Sequence, residues 1–198
     1  MLVLGLTGSL AMGKTTAAAM FAAEGAAIFD ADKAVRTLYA GAAVTPIEAA
    51  FPGTTREGAV DRTALAKRVV GDAAALAKLE AIVHPLVRTA ENAFRAHAAA
   101  EGRRIAVLDI PLLLETGGET RVDAVVVVTT TAAIQHARIM RRAGMTQERA
   151  AALLARQMPD AEKRARAHFI IDTSGEMSAT RKQVADVMRA VAGMAAGG

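Results

Sequence analysis

Eight residues near the start of the chain, Gly8-Ser-Leu-Ala-Met-Gly13-Lys14-Thr15, follow the pattern G-x-x-x-x-G-K-[ST]. Glycine lets a backbone curl with its N–H groups turned inward, which makes a cradle for anionic oxygens. A helix that starts at such a turn aims the partial positive charge of its first amides at the same point. Lys14 can reach the β- and γ-phosphates of a bound nucleotide. Thr15 offers a hydroxyl to Mg²⁺, which prefers oxygen ligands in octahedral geometry. The plainer reading is a glycine-rich turn between a strand and a helix. The complete motif, set directly between the apolar run Leu2–Leu6 and the helical run Thr16–Ala23, argues against it.

A guanine-nucleotide switch would carry N-K-x-D and D-x-x-G motifs, and neither occurs at a workable position. Motor and transporter ATPases are normally larger. A small-molecule kinase remains, with a nucleotide-dependent binding protein as the rival from another class. A kinase needs an acceptor site, cations for transition-state charge and an acid–base group. Asp30-Ala31-Asp32 follows the second apolar run, where ligands of open α/β sheets bind. Asp32 is the better base, or else it caps the next helix; Asp30 reads as structural. Asp109, in Val-Leu-Asp-Ile-Pro, is either an acid that orders the waters of Mg²⁺ or a strand-end carboxylate satisfied by backbone. Arg138, Arg141 and Arg142 fall on or near one helical face and suit phosphate, or form a solvated basic face. His84 and Arg88 are four apart around Pro85, which predicts a kinked or interrupted helix. They read as an acceptor-binding pair or as structural residues.

The elements that must hold these residues follow from the hydropathy pattern. Leu2–Leu6, Ala26–Phe29, Ile105–Leu108, Ala124–Val128 and Phe169–Ile171 are short, near-continuous aliphatic runs, as strands covered on both faces should be. Helical stretches separate them, which predicts a parallel sheet with crossover helices. The gap Ala40–Arg103 has room for several helices and for an acceptor-binding excursion. The gap Thr129–His168 is rich in arginine and predicts a two-helix lid that turns near Ala143-Gly144. The glycine-rich end, Ala195–Gly198, is expected to fray.

With 198 residues the chain is long enough for one domain with a sizeable core. Its hydrophobic content is 53% but only 3% is aromatic, so alanine supplies much of the apolar content and favours helix. The net charge of +4 is modest for a nucleic-acid binder and suits anionic small ligands. There is no cysteine, which excludes disulfides, thiolate catalysis and cysteine-based zinc sites and fits a reducing cytoplasm. Met1–Met12 is apolar but has no basic stretch before it, and the glycine-rich turn and Lys14 follow at once, so it does not read as a signal peptide. No apolar run approaches the roughly 20 residues of a membrane span.

Taken together and in order, several segments resemble the dephospho-CoA kinase family. They are Gly5–Thr16, Asp30-Ala31-Asp32 with Arg36, His84-Pro-Leu-Val-Arg88, Pro111-Leu-Leu-Leu-Glu115, Gln135-x-x-Arg138-x-x-x-Arg142-x-Gly144, and Arg156-Gln157 with Lys163 and Ile171-Asp172. The resemblance implies a P-loop NTPase-type α/β three-layer sandwich with a five-stranded parallel sheet. Within one domain over 1–198 it implies a core (1–39, 104–130 and 168–198), a helical acceptor-binding region (about 40–103) and a lid (about 131–167). It implies transfer of the γ-phosphoryl group of ATP to the ribose 3′-hydroxyl of dephospho-CoA; the alternative is another small-molecule kinase on the same core, of nucleotide or shikimate type. Asp32 would be the base, with Lys14 and Arg142 balancing transition-state charge. ATP would meet Gly8, Ala11, Met12, Gly13, Lys14, Thr15, Thr16 and Arg138, with Mg²⁺ on Thr15. Dephospho-CoA would meet Asp32, Arg36, His84, Arg88, Leu112, Leu113, Leu114 and Glu115. A cytoplasmic monomer or weak oligomer is expected, with neither nucleic acid nor membrane as partner. The chain departs from the family pattern at Ala11-Met12 (usually Gly-Ser), Leu114 (usually Phe), His168 (usually Asp) and Thr173 (usually Asn). The last two leave contacts to the adenine open.

Overall fold

The computed structural model describes residues 1–196. The elements run β1 (Leu2–Thr7), α1 (Lys14–Ala23), β2 (Ala27–Asp30), α2 (Ala31–Tyr39), α3 (Val44–Ala50), β3 (Thr55–Arg56), β4 (Ala59–Val60), α4 (Arg62–Val69), α5 (Ala73–Ala100), β5 (Ile105–Asp109), β6 (Ala124–Thr129), α6 (Ala132–Met140), α7 (Gln147–Leu154), α8 (Asp160–Ala165), β7 (Phe169–Asp172) and α9 (Met177–Ala196). The five aliphatic runs are the five strands of the main sheet, ordered β2-β5-β1-β6-β7. Central β1 pairs in parallel with β5 and β6, and β6 with β7. Strand order reverses across β1, so the loop after Thr7 leaves the sheet at the switch point where α/β folds bind ligands.

Both faces of this sheet are covered, which explains why its strands are aliphatic throughout. Along β6, Val126 and Val128 join Leu4, Leu6, Phe21 of α1 and Val184 and Val187 of α9. Val125 and Val127 point to the other face and pack with Leu113 and Leu114. Gly5 makes room there: a Cβ on it would lie 2.5 Å from a methyl carbon of Leu113.

The chain divides into two compact units, one of residues 1–29 with 98–198 and one of residues 30–97. The second has its own apolar core, including Ile47, Phe51, Val60, Leu65, Leu79 and Val83. Residues 30–39, expected within the core region, belong to this second unit instead. It also holds an unexpected hairpin, β3 with β4, whose two-residue strands are too short to leave a periodic signal. The hairpin is secured by Glu48, which accepts from Gly53 N and Thr55 Oγ1, both at 2.7 Å.

Three expectations are corrected. Pro85 neither ends nor interrupts a helix, because α5 runs through it for 28 residues. The stretch 131–167 contains three helices rather than two. The turn at Gly144 is present, with φ 69, but α8 follows as a third helix. The last helix runs on to Ala196, past the start of the expected frayed end, and Gly197 and Gly198 lie outside the described residues. No helix among the described residues is long and apolar enough to cross a membrane.

Candidate active site

The phosphate loop begins at the carboxyl end of β1. Gly13 is the N-cap of α1 with φ 93, and no side chain caps the helix. The first amides of α1 are therefore left for an anion rather than for a cap. A Cβ on Gly8 would lie 2.6 Å from the backbone oxygen of Val128, so only glycine fits there. Ala11 has φ 63, a left-handed conformation in which alanine is strained. The side chain of Met12 is buried in the core under the sheet, so any contact it makes with a ligand is through backbone. Thr15 and Thr16 are exposed.

Lys14 Nζ forms an ion pair with Asp109, the last residue of β5. Asp109 is thus more than a strand-end carboxylate satisfied by backbone, and it is only 6% exposed. The Thr15 hydroxyl and the Asp109 carboxylate are hard oxygen donors of the kind Mg²⁺ takes alongside water and substrate phosphate. The residues present therefore fit that ion.

Four side chains from distant parts of the sequence hold the loop. Gln135 of α6 donates from Nε2 to Leu10 O at 2.9 Å, and Leu10 N donates to Gln157 Oε1 at 2.9 Å. Arg138 donates to Thr173 Oγ1 at 2.9 Å and to Thr173 O at 2.8 Å, with Ala11 O at 3.5 Å. The Thr173 hydroxyl in turn has Met12 O at 2.8 Å and Thr129 O at 3.2 Å. Arg138 is thus part of the loop's support, whereas Arg141 and Arg142, just past α6, are exposed. Gln135 and Gln157 lie in segments that carry the family resemblance and Thr173 in one tied to the adenine, but none of the three is expected from sequence to hold the loop. Spacing could not reveal them, since they lie more than a hundred residues from the loop they hold.

The Pro111–Glu115 segment splits. Leu113 and Leu114 are 0% and 4% exposed and belong to the core, which corrects their expected place on the acceptor side; Leu112 is 41% exposed. Glu115 is bound to buried Lys163 at 2.8 Å. His168, at the foot of β7, accepts from Val125 N at 3.1 Å through Nδ1, so its imidazole is engaged with the sheet.

The second unit carries the remaining candidates. Asp30 caps α2 by accepting from Lys33 N at 2.8 Å, and its carboxylate lies 3.8 Å from Arg36. The cap is therefore Asp30, and the reading of Asp32 as merely a helix cap falls away. Asp32 sits exposed in the first turn of α2. His84 and Arg88 are both exposed and one turn apart on α5, as their spacing implied.

An uncapped helix behind a glycine turn, at the switch point of this sheet, with a lysine on an acidic strand end, defines a P-loop nucleotide-binding protein. The dephospho-CoA kinase family model matches residues 2–179. A dephospho-CoA kinase of Brucella melitensis is 56% identical over 193 residues, covering 98% of this chain and 96% of that protein. Among solved structures, TT1252 of Thermus thermophilus superposes with a TM-score of 0.84 at 30% identity, over 96% of each chain. A dephospho-CoA kinase from Campylobacter jejuni gives a TM-score of 0.63 at 25% identity, over 96% of each. The chain belongs to the dephospho-CoA kinase family.

Proposed function

We propose that the chain transfers the γ-phosphoryl group of ATP to the ribose 3′-hydroxyl of dephospho-CoA, giving coenzyme A and ADP, in the cytoplasm. The observation that carries the reading is the uncapped, amide-rich turn at Gly13 beside the Lys14–Asp109 pair, in a chain of this family. The loop amides and Lys14 bind the phosphates, with Lys14 turning from Asp109 toward phosphate oxygen. Asp32 accepts the proton of the attacking hydroxyl. The new P–O bond forms to that oxygen, and the bond between the γ-phosphorus and the β,γ-bridging oxygen breaks to release ADP. Arg142 adds positive charge for the transition state. Thr15 and Asp109 would be the residues to hold Mg²⁺, and the ion would supply positive charge to offset that of the phosphate oxygens. Arg36, His84 and Arg88 offer cationic and hydrogen-bonding groups to the acceptor, together with exposed Leu112. These roles ask of the protein mainly position and electrostatics, as phosphoryl transfer does.

The test is an ADP-release assay with a panel of acceptors and mass detection of the product. Dephospho-CoA is expected to gain one phosphoryl group, while shikimate and nucleoside monophosphates stay unmodified. Turnover of a nucleoside monophosphate but not of dephospho-CoA would overturn the reading.

A further inference from the structure

Glu115 and Lys163 stand apart from the machinery just described, yet they form a buried ion pair in the first unit. Lys163 is 0% exposed, and its Nζ lies 2.8 Å from Glu115 Oε1 and 3.4 Å from Pro111 O. The same Oε1 accepts from Met158 N at 2.9 Å. Glu115 Oε2 is buried and makes no hydrogen bond. A buried ion pair is weak evidence for stability, because desolvating both charges offsets most of their attraction. What such a pair does fix is the geometry of the groups bound to it.

Both ends of this pair lead to the phosphate loop. Pro111 O also accepts from Thr7 Oγ1 at 3.0 Å, and Thr7 is the residue before Gly8. Met158, tied to Glu115, follows Gln157, whose side chain accepts from Leu10 N inside the loop. The contacts close a circuit: Thr7, Pro111, Lys163, Glu115, Met158, Gln157 and Leu10. We infer that Glu115 and Lys163 are positioning residues for ATP, acting through Gln157 and Pro111 on the phosphate loop, rather than contacts for the acceptor. The inference rests on residues 8–15 being the ATP loop.

The test is a double-mutant cycle on the full chain. Its arms are the paired variant Glu115→Leu/Lys163→Met, which leaves no buried charge alone, the single variant Gln157→Met, and the triple variant. KM is measured for ATP and for dephospho-CoA, and the Leu10 amide is followed by NMR during ATP titration. The paired variant and Gln157→Met should each raise KM for ATP about tenfold, the effect of one lost hydrogen bond. The triple variant should add little, because all act through one path. KM for dephospho-CoA should move less than twofold, and the Leu10 resonance should shift in every variant. Additive effects on KM for ATP overturn the inference, as does a rise in KM for dephospho-CoA alone. Gln157→Met removes a half-buried side chain outside the regular elements and tests the path even if the paired variant does not fold; unchanged KM for ATP in it also overturns the inference. If ATP leaves the wild-type Leu10 amide unmoved, the loop assignment itself fails. If the wild type responds and the variants behave like it, only the positioning role fails.

Discussion

Replacing Thr173 by valine keeps the shape of a side chain that is 6% exposed and deletes only its hydroxyl. That hydroxyl accepts from the Arg138 guanidinium at 2.9 Å and donates to Met12 O at 2.8 Å. A hydrogen bond to a charged group contributes about 1.5–3 kcal/mol and a neutral one about 0.5–1.5 kcal/mol. Arg138 keeps its second bond, to Thr173 O, so part of the first contribution survives. The expected loss is about 2–3 kcal/mol, which for a chain of this length lowers Tm by roughly 4–12 °C. Because Met12 O lies within the phosphate loop, KM for ATP should rise in the same variant. Thermal unfolding and steady-state kinetics read the two effects, and Thr173→Ser, which restores the hydroxyl, should recover both. A valine variant with unchanged Tm and unchanged KM for ATP would refute the account of how the loop is held.

Ala11→Gly should stabilise the chain by about 0–1.5 kcal/mol in thermal unfolding. It relieves a left-handed alanine that costs about 1–2 kcal/mol, less about 0.5–1 kcal/mol for the freer unfolded chain. Leu113→Ala should lose about 2–5 kcal/mol in denaturant titration, whereas Leu112→Ala on the exposed neighbour should stay within about 0.5 kcal/mol. Glu48 and Asp61 sit below the ordinary carboxylate range, held there first by the amides of Gly53 and Ala64 respectively. Because both are lowered on folding, what they contribute is present above about pH 4 and is lost as pH falls through their lowered values. Amide exchange at Gly53, Thr63 and Ala64 should therefore lose protection below about pH 4, with Asp61→Asn flattening the response at Thr63 and Ala64.

The sheet was legible because five short aliphatic runs leave few alternatives to strands buried on both faces. The phosphate loop was legible because its glycines and lysine are contiguous. What escaped the sequence was carried by tertiary contact. Leu113 and Leu114 look like any apolar pair beside a site until Gly5 is seen to admit Leu113 to the core. The choice between Asp30 and Asp32 as the cap of α2 turned on which carboxylate meets Lys33 N. Proline at position 85 reads as a break, since it removes one backbone donor, but the rest of α5 tolerates that single loss. Gln135, Gln157 and Thr173 act on the loop only because α6, the segment after α7 and the end of β7 return to it.

The most direct test of the central claim compares Asp32→Asn with the wild type, measuring kcat on dephospho-CoA and ATP affinity by calorimetry on the same preparations. The account predicts a fall of about 10²–10⁴-fold in kcat with ATP affinity nearly unchanged, the signature of a general base lost while the phosphate loop stays intact. Near-normal turnover in Asp32→Asn, or a loss of ATP binding equal to the loss of rate, would contradict it.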